Sequence, residues 1–375
     1  MKVHFNQPYM AGEEFQNIIN GALTGQISGN GYFTKKCHAF FEKRYKIKKA
    51  LLTTSCSDAL EMAAILANIQ AGDEVIVPSF TFMSTANAFV LRGAKIVFSD
   101  VREDLPIIDA ENLEGLITEK TRAIAVVHYA GVACDMDRIM ALAEKYDLYV
   151  IEDTAHAVES TYKGKQLGTI GHFGAFSFHE TKNVISGEGG LIAVNDKAYA
   201  KRSEIIWEKG TDRAAFKRGE VDKYQWVDVG SSFLPSDIIA AILFSQLSKI
   251  DTIQKLRLNV WKKYYEKLKP LEESGVIKLP FIPDFAANNG HMFYIVTGSA
   301  KERDKLLSYL NRKGVMAVIH YLPLHSSRYY KDKHDGRELP NTDMYSSQII
   351  RLPFYNVLSE DQQDFVVDKI RRFYK

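Results

Sequence analysis

Short apolar segments alternate with helical segments between residues 50 and 195, and this alternation is the feature that most constrains the fold. Apart from a polar residue at one end of the first two, the segments 74–78, 123–128 and 148–151 are apolar throughout, without the polar alternation of a strand that has one face in water. Such strands, separated by helices, are typical of a mostly parallel sheet covered on both faces. The sequence therefore predicts an α/β fold in which ligands bind beyond the carboxyl ends of the strands.

The chain is long enough for one large and one smaller domain, with 375 residues of which 46% are hydrophobic. A polar, aromatic loop at 210–236 precedes helical periodicity over 237–273, and this region predicts the interdomain hinge. We expect a large domain over residues 1–240, which includes an N-terminal arm, and a small α+β domain over residues 241–375. Strands of the small domain are expected near 292–297 and 315–320.

Charge and cysteine content narrow the classes of partner. The 48 basic residues nearly balance the 46 acidic ones, so neither nucleic acid nor an anionic membrane is expected as a partner. No apolar run is long enough for a signal peptide or a membrane span, and a cytoplasmic protein is expected. The three widely spaced cysteines indicate neither a disulfide framework nor a metal site.

A lysine follows the aromatic stretch that begins at Ala175. The alternation of Phe176 and Phe178 predicts a strand that delivers Lys182 into a walled pocket. Desolvation lowers the pKa of a lysine and makes its amine a nucleophile that can form a Schiff base. The alternative is a surface lysine in a connection between a strand and a turn.

The junction Ser55-Cys56-Ser57-Asp58 lies where a strand passes into a helix. Hydroxyl groups and free backbone N–H groups at a helix start favour a phosphate. Simple N-capping by Ser55 or Ser57 is the alternative. The carboxylate of Asp58 would lie close to a phosphate unless it points along the first helical turn.

Two further strand ends carry chemistry that suits an aromatic ring. Asp153 closes the apolar strand 149–151, and a carboxylate there can keep a pyridine nitrogen protonated, with His156 three residues later. Phe82 follows another strand and can cover the face of a flat ring. The alternatives are a helix-capping aspartate and a core phenylalanine. Together with Lys182 and the phosphate-binding junction, these residues indicate pyridoxal 5'-phosphate (PLP).

The chain resembles the DegT/StrS family of nucleotide-sugar aminotransferases over essentially its whole length, in the segments 78–82, 152–156, 177–183 and 187–190. The resemblance implies a PLP-dependent transferase of fold type I with a mostly parallel central sheet. In such an enzyme Lys182 forms the Schiff base, Asp153 meets the pyridine nitrogen, and His156 contacts the ring hydroxyl. These three residues are the expected catalytic group.

The resemblance also implies how the rest of the cofactor is held. Phe82 is expected to stack on the ring, and Cys56, Ser57 and Ser177 to hold the phosphate. In this family a neighbouring subunit usually completes the phosphate site from a Gly-x-Asn-x-Arg-like loop. Residues 230–234 take that place here, with Ser232 instead of the asparagine and leucine instead of the arginine. A homodimer with its active site at the subunit interface is therefore expected.

For the substrates, the resemblance implies amino transfer from L-glutamate to a dTDP-4-keto-6-deoxyhexose. The expected products are 2-oxoglutarate and dTDP-4-amino-4,6-dideoxygalactose, for cell-surface polysaccharide synthesis. The runs 79–100, 128–134 and 179–183 support this assignment within the family. The opposite, gluco configuration at C4 and a 3-keto sugar both stay open. A non-catalytic regulator is the third alternative, against which the intact Lys182 and Asp153 argue.

Two segments at the expected domain interface are candidates for contacts with the sugar nucleotide. One resembles the family's substrate-side loop and contains His320, Tyr321 and His325. The other offers cations for a diphosphate, namely Arg213, Lys217, Arg218 and Lys223. A core-lining His-Tyr turn and a solvated charged loop are the alternatives.

Overall fold

Thirteen strands and twelve α-helices follow one another along residues 1–375 of the computed structural model. The strands are β1 (Lys49–Thr53), β2 (Glu74–Pro78), β3 (Lys95–Ser99), β4 (Thr121–Val127), β5 (Tyr149–Asp153), β6 (Thr161–Tyr162), β7 (Lys165–Gln166), β8 (Phe173–Ser177), β9 (Gly190–Val194), β10 (Ile277–Lys278), β11 (Ala286–Ala287), β12 (Tyr294–Thr297) and β13 (Ile349–Arg351). The helices are α1 (Glu14–Leu23), α2 (Tyr32–Tyr45), α3 (Cys56–Leu66), α4 (Met83–Val90), α5 (Met136–Tyr146), α6 (Ala200–Trp207), α7 (Arg213–Lys217), α8 (Asp237–Ser248), α9 (Ile250–Glu273), α10 (Ala300–Arg312), α11 (Pro340–Gln348) and α12 (Glu360–Phe373). None of these helices is both long and apolar enough to cross a bilayer.

The central sheet has seven strands in the order β1-β9-β8-β5-β4-β2-β3. Pairing is parallel from β8 through β3, whereas β9 is antiparallel to both of its neighbours. Six strands therefore point the same way, and the predicted mostly parallel α/β sheet is confirmed. The carboxyl ends of β1, β2, β5 and β8 consequently lie at one edge of the sheet, together with the start of β9.

Alternate side chains of the strands enter cores on opposite faces of the sheet. Val75 and Val77 pack with α3 and α4 on one face, whereas Ile76 packs on the other face beside α5. On that second face, α2 and α8 cover the part of the sheet around Phe176. Burial on both faces explains why the strands are continuously apolar in sequence.

A second sheet, with the order β10-β12-β13, is formed entirely by residues after 241. It packs with α9, α10 and α12 around a separate core. Several contacts cross the boundary expected near residue 240; for example, Val3 bridges to Val315, and β11 pairs with β6. The division into residues 1–240 and 241–375 stays a prediction, since these contacts join the two parts.

Two sequence predictions in the second half differ from the structure. Residues 315–320 form no strand, because the segment makes only single bridges, from Val315 to Val3 and from Val318 to Arg351. The helical region 237–273 is two helices, which meet at Lys249. A continuous ladder needs several paired residues in register, and the segment 315–320 finds one partner at a time.

Candidate active site

Lys182 lies in the connection between β8 and β9, at the edge of the sheet where the parallel strands end. This connection is closed by backbone hydrogen bonds: Phe178 donates to Gly189 (2.8 Å), and Lys182 donates to His179 (2.9 Å). Its far side is fixed by Asn183, whose side-chain amide donates to the carbonyl of Asn289 (3.1 Å). The predicted strand is present but ends at Ser177, so this short loop, rather than the strand itself, positions the lysine.

Lys182 is half-buried as a residue, and the protein around its amino group removes that group from water. Burial is the largest influence and lowers the pKa of Lys182 to about 8. Cys56 and Asp153 act in the opposite direction, while the positive charge of Arg351 lowers the pKa further. Near neutral pH, a far larger fraction of this lysine than of an ordinary lysine is therefore an uncharged, nucleophilic amine.

Asp153 is buried at the last position of β5. One carboxylate oxygen accepts a hydrogen bond from the hydroxyl of Thr85 (2.6 Å), and the other accepts from the backbone N–H of Ala155 (3.0 Å). A second threonine, Thr81, lies 2.9 Å from the hydroxyl of Thr85. The carboxylate is held in one orientation and retains lone pairs for a further donor.

His156 is buried and stacks on His291, with ring centroids 4.3 Å apart and planes inclined by 19°. Its Nδ1 lies 3.4 Å from the backbone nitrogen of Ala130, and its Nε2 lies 3.5 Å from the hydroxyl of Tyr321. Burial lowers the pKa of His156 well below the usual value, and the charge of Lys182 lowers it further. His156 is therefore a neutral imidazole.

The first turn of α3 offers donors to an anion. Ser55 caps the helix: its hydroxyl accepts from the N–H of Asp58 (3.1 Å) and its carbonyl accepts from Ala59 (3.3 Å). The N–H groups of Cys56 and Ser57 precede these bonds and have no partner within the helix. The predicted N-cap and the predicted anion site are thus compatible, because they use different donors.

Asp58 has a partner of its own in the first turn of α3, although its charge still reaches Cys56 and helps to raise the pKa of that thiol. Its carboxylate accepts a hydrogen bond from the hydroxyl of Thr54. Ser57 lies within 2.7 Å of the hydroxyl of Ser84. Gly190, at the start of β9, lies directly against this turn: a Cβ there would come within 2.4 Å of the carbonyl carbon of Ser55. Only glycine allows β9 to begin so close to the helix.

Phe82 and Ser177 flank the same edge of the sheet. Phe82 precedes α4 and is 50% exposed, with its ring 6.2 Å from that of Tyr321. It is therefore not the core residue that was the alternative. Ser177 is buried at the end of β8, and its hydroxyl accepts weakly from the N–H of His179 (3.5 Å).

Of the residues expected to contact the sugar nucleotide, His320 and Tyr321 reach the cluster around His156. His320 Nδ1 lies 3.0 Å from the hydroxyl of Tyr129. His325 turns away and braces the chain instead: its Nδ1 lies 2.8 Å from the hydroxyl of Ser79, which also accepts its backbone N–H (3.0 Å).

The loop that contains Ser232, Arg213 and Lys223 makes no contact with Lys182 within the single chain. Ser232 is exposed and bridges to Glu208, and Arg213 approaches the same glutamate at 3.8 Å. Lys223 is exposed. These three residues remain predicted contacts, and the homodimer expectation requires them to act at the site of a partner subunit.

Three residues of the site escaped the sequence analysis: Thr85, His291 and Arg351. Thr85 lies in the first turn of α4, and the only available signal was its spacing after Phe82. His291 and Arg351 come from the second half of the chain, where no motif marks them. Nothing in the sequence indicates that β13 brings Arg351 beside residues that precede it by more than a hundred positions.

The donor set fits pyridoxal phosphate. Lys182 supplies an amine with a lowered pKa, Asp153 a buried carboxylate with a free lone pair, and the first turn of α3 two unpartnered N–H groups. Phe82 supplies an exposed aromatic face at the same edge of the sheet. These groups match an aldehyde, a pyridine nitrogen, a phosphate and a ring face, respectively.

The lowered pKa of Lys182 predicts a pH dependence for cofactor uptake. Only the uncharged amine attacks an aldehyde, so the rate at which cofactor-free protein takes up PLP should rise with pH through about 8. The rate should level off above about pH 9, whereas an unperturbed lysine, with a pKa near ~10.4, would still be gaining. Stopped-flow absorbance measures the rate, with N-acetyl-lysine as the reference amine. A rise centred near the pKa of the reference amine would contradict this prediction.

Nearly the whole chain is similar in sequence to known proteins. The model of the DegT/DnrJ/EryC1/StrS aminotransferase family matches residues 9–371. The spore coat polysaccharide biosynthesis protein SpsC of Bacillus subtilis is 32% identical over 380 residues, which cover 99% of this chain and 97% of SpsC.

Solved structures of other proteins superpose on nearly the whole chain. An aminotransferase from Psychrobacter cryohalolentis superposes with a TM-score of 0.92 at 28% identity, and the match covers 98% of each chain. A Streptococcus pneumoniae protein described as a sugar aminotransferase, in its PMP form, superposes with a TM-score of 0.91 at 25% identity. That match covers 99% of this chain and 98% of the other.

Proposed function

Because this chain belongs to the DegT/DnrJ/EryC1/StrS aminotransferase family, we propose that it transfers the amino group of L-glutamate to a dTDP-4-keto-6-deoxyhexose. The family and its solved members make the protein a PLP-dependent sugar aminotransferase of fold type I, which confirms the predicted enzyme class and cofactor. The proposal adds the identity of the two substrates and of the product, dTDP-4-amino-4,6-dideoxygalactose.

The observation that carries the proposal is the pairing of a lysine of lowered pKa with a buried carboxylate at one edge of the sheet. Lys182 and Asp153 are close enough for Asp153 to shift the pKa of Lys182. A non-catalytic regulator would not need a lysine held partly uncharged. Transamination needs this amine both to anchor the cofactor and to move a proton.

Each residue of the site has a role that follows from its surroundings. When bound, PLP supplies the carbonyl that accepts the amino group and a conjugated ring that takes up an electron pair. Asp153 would hold the proton on the ring nitrogen, since Thr85 and Ala155 fix its carboxylate. Neutral His156 would donate or accept one hydrogen bond at the ring hydroxyl. Phe82 would cover one ring face.

Lys182 moves the proton. In the first half-reaction its amine would take the proton from the α-carbon of L-glutamate and pass it to the bound cofactor, and water would then release 2-oxoglutarate while the amino group stays on the cofactor. In the second half-reaction it returns a proton to the carbon that was the ketone of the sugar. Because one lysine serves one face of that carbon, the orientation of the bound sugar sets the configuration of the product.

Phosphate binding is proposed for Cys56, Ser57 and Ser177, with Ser232 contributed by a partner subunit. The homodimer is supported by apolar side chains left in water by the single chain, including Phe15 and Leu23 on α1 and Trp226 in the 210–236 loop. These side chains are 74%, 80% and 82% exposed, respectively, and contact with a second copy would bury apolar area.

For the sugar nucleotide we propose contacts from His320 and Tyr321, with His325 positioning their loop through Ser79. Arg213 and Lys223 would meet the diphosphate in the assembled dimer. The runs 79–100, 128–134 and 179–183 resemble the dTDP-4-amino-4,6-dideoxygalactose transaminase of enterobacterial common antigen synthesis, and this resemblance supports the galacto product. The name of SpsC, a polysaccharide biosynthesis protein, supports a role in making a cell-surface polymer.

A panel of sugars tests the proposal. Purified protein with PLP and L-glutamate is incubated with each dTDP-4-keto and dTDP-3-keto 6-deoxyhexose, and the products are identified by NMR. We expect amination of the 4-keto sugar with the galacto configuration at C4. A gluco product or a 3-amino sugar would replace the proposed substrate by one of the two alternatives within the family.

A further inference from the structure

His291 is a buried histidine that contacts two parts of the site at once. Its ring stacks on that of His156, with centroids 4.3 Å apart and planes inclined by 19°. Its Nδ1 lies 2.8 Å from the side-chain oxygen of Asn183, the residue that follows Lys182. One side chain from the second half of the chain thus joins His156 to the loop that carries the lysine.

The hydrogen bonds of Asn183 determine where His291 carries its proton. The side-chain N–H of Asn183 donates to the carbonyl of Asn289 (3.1 Å), so the amide oxygen of Asn183 faces His291. An amide oxygen only accepts hydrogen bonds, and Nδ1 of His291 therefore carries a proton. Burial keeps the pKa of His291 well below its usual value, so the ring is neutral and its Nε2 has no proton.

His156 is held in the opposite tautomer. The backbone N–H of Ala130 donates to its Nδ1 (3.4 Å), and a ring nitrogen that accepts a hydrogen bond has no proton of its own. Burial, followed by the charges of Lys182 and Arg351, keeps the pKa of His156 well below its usual value. The single proton of the neutral ring is therefore on Nε2, which lies 3.5 Å from the hydroxyl of Tyr321.

The ring of His156 needs a neighbour to keep this donor in place. The terminal torsion of a histidine has two broad minima, in which each nitrogen exchanges places with a ring carbon. A flip would put a C–H group where the Nε2–H group was. The bond from Ala130, at 3.4 Å, is longer than the usual limit of about 3.2 Å and holds the ring only weakly. The nearly parallel face of His291, at 4.3 Å, hinders the rotation directly.

His291 is itself fixed on its backbone side. Arg257 donates to the carbonyls of Gly290 (3.1 Å) and His291 (2.6 Å). The side-chain amide of Asn289 donates to the carbonyl of His156 (2.8 Å), which ties the two histidine segments together. The stacked pair is therefore a rigid unit, held by hydrogen bonds at both backbones.

We propose that His291 is a positioning residue: its ring, anchored on Asn183, holds His156 in the orientation that donates a hydrogen bond from Nε2 to the ring oxygen of PLP. This inference rests on the contact with that oxygen which the proposed function gives to His156. A hydrogen bond donated to the oxygen favours its ionised form. His291 acts on the cofactor only through His156, and the anchor on Asn183 ties the same ring to the loop of Lys182.

The tautomers are measured in cofactor-free protein labelled with ¹⁵N at histidine. Long-range ¹H–¹⁵N correlation spectra distinguish a ring nitrogen that carries a proton from one that does not. His156→Phe and His291→Phe each remove one set of signals and so assign them. We expect the proton of His156 on Nε2 and that of His291 on Nδ1. A proton on the other nitrogen, or on both nitrogens, of either ring would overturn the inference.

The visible spectrum of PLP-loaded protein tests the positioning role. A negative ring oxygen favours a proton on the nitrogen that joins PLP to Lys182, and a hydrogen bond from His156 weakens that effect. His156→Phe removes the donor and should raise the pH at which the visible band changes by about one unit. His291→Leu should raise it by a similar amount. His291→Phe should lie between wild type and His291→Leu, because it keeps the stacked face and loses only the anchor on Asn183.

A double variant shows whether His291 acts through His156. The combination of His156→Phe with His291→Leu should shift the pH no further than His156→Phe alone, since the donor is already absent. An unchanged pH in His291→Leu, equal shifts in His291→Phe and His291→Leu, or additive shifts in the double variant would each overturn the positioning role.

His172 provides the matched control. It precedes β8 at the end of the strand opposite Ser177, and its Nδ1 accepts from the N–H of Val150 (3.0 Å), as a glutamine oxygen also can. His172→Gln should leave the pH of the spectral change as in wild type. Circular dichroism checks that each variant is folded. If His291→Leu does not fold, His291→Gln takes its place, because it also lacks the ring face.

None of these measurements uses a sugar or an amino donor, so their outcome is separate from that of the proposed function. A protein that aminates none of the keto sugars but shows the expected tautomers and pH shifts still has His291 as the positioning residue of His156. A protein that aminates the 4-keto sugar but shows no shift in His291→Leu keeps the proposed function and loses this inference.

Discussion

Replacement of Lys182 by alanine is expected to lower kcat for amino transfer by at least about 10³-fold, because the variant lacks both the anchoring amine and the proton carrier. PLP can still bind through its phosphate and ring contacts, but the visible band that reports a covalent bond to lysine should be absent. The loss should appear in both half-reactions, since the same amine takes a proton in one and returns it in the other.

Chemical rescue separates a proton carrier from a structural residue. A small primary amine such as methylamine should restore part of the activity of Lys182→Ala, and the restored rate should rise with the concentration of the free base. Lys201→Ala, an exposed lysine on α6, is the control and should keep the rate of wild type. A persistent covalent band in Lys182→Ala would show that another amine holds the cofactor.

The change Asp153→Asn is expected to lower kcat by about 10²-fold or more, since a neutral amide cannot hold a positive charge on the ring nitrogen. The substitution keeps the size of the side chain, and one oxygen remains to accept from Thr85 or Ala155. The fold should therefore persist, and the loss should fall on the chemical steps rather than on the KM for the sugar.

A capping aspartate provides the matched control for Asp153→Asn. Asp135 accepts from the N–H of Arg138 at the start of α5 (3.5 Å), and asparagine caps a helix as well as aspartate does. Asp135→Asn should leave kcat within about twofold. If Asp153→Asn behaved in the same way, its carboxylate would be a structural group, and the assignment to the ring nitrogen would be wrong.

The edge of the sheet where the site forms follows from the sequence because parallel strands place their carboxyl ends together. Once the segments before Cys56, Phe82, Asp153 and Ser177 are recognised as strands of one sheet, their following residues must converge. The sequence does not give the strand order, and it does not show that β9 runs against its neighbours. Those features depend on long-range pairing, which local periodicity does not encode.

The second half of the chain was harder to predict for the same reason. Arg351 ends a three-residue strand, and a segment that short carries no periodic signal. His291 lies in a buried stretch where any apolar residue satisfies the pattern. The segment 315–320 has the composition of a strand, yet it reaches only single partners at Val3 and Arg351. Tertiary placement, rather than propensity, decides all three cases.

The most direct test of the proposed function follows nitrogen from donor to acceptor. L-Glutamate labelled with ¹⁵N is incubated with PLP-loaded protein and dTDP-4-keto-6-deoxyglucose. The nucleotide sugars are then separated, and their masses are determined by mass spectrometry. The label should appear in a dTDP-4-amino-4,6-dideoxyhexose, and Lys182→Ala should leave the sugar unlabelled. Conversion of glutamate to 2-oxoglutarate by wild-type protein with no label in any nucleotide sugar would contradict the proposed function.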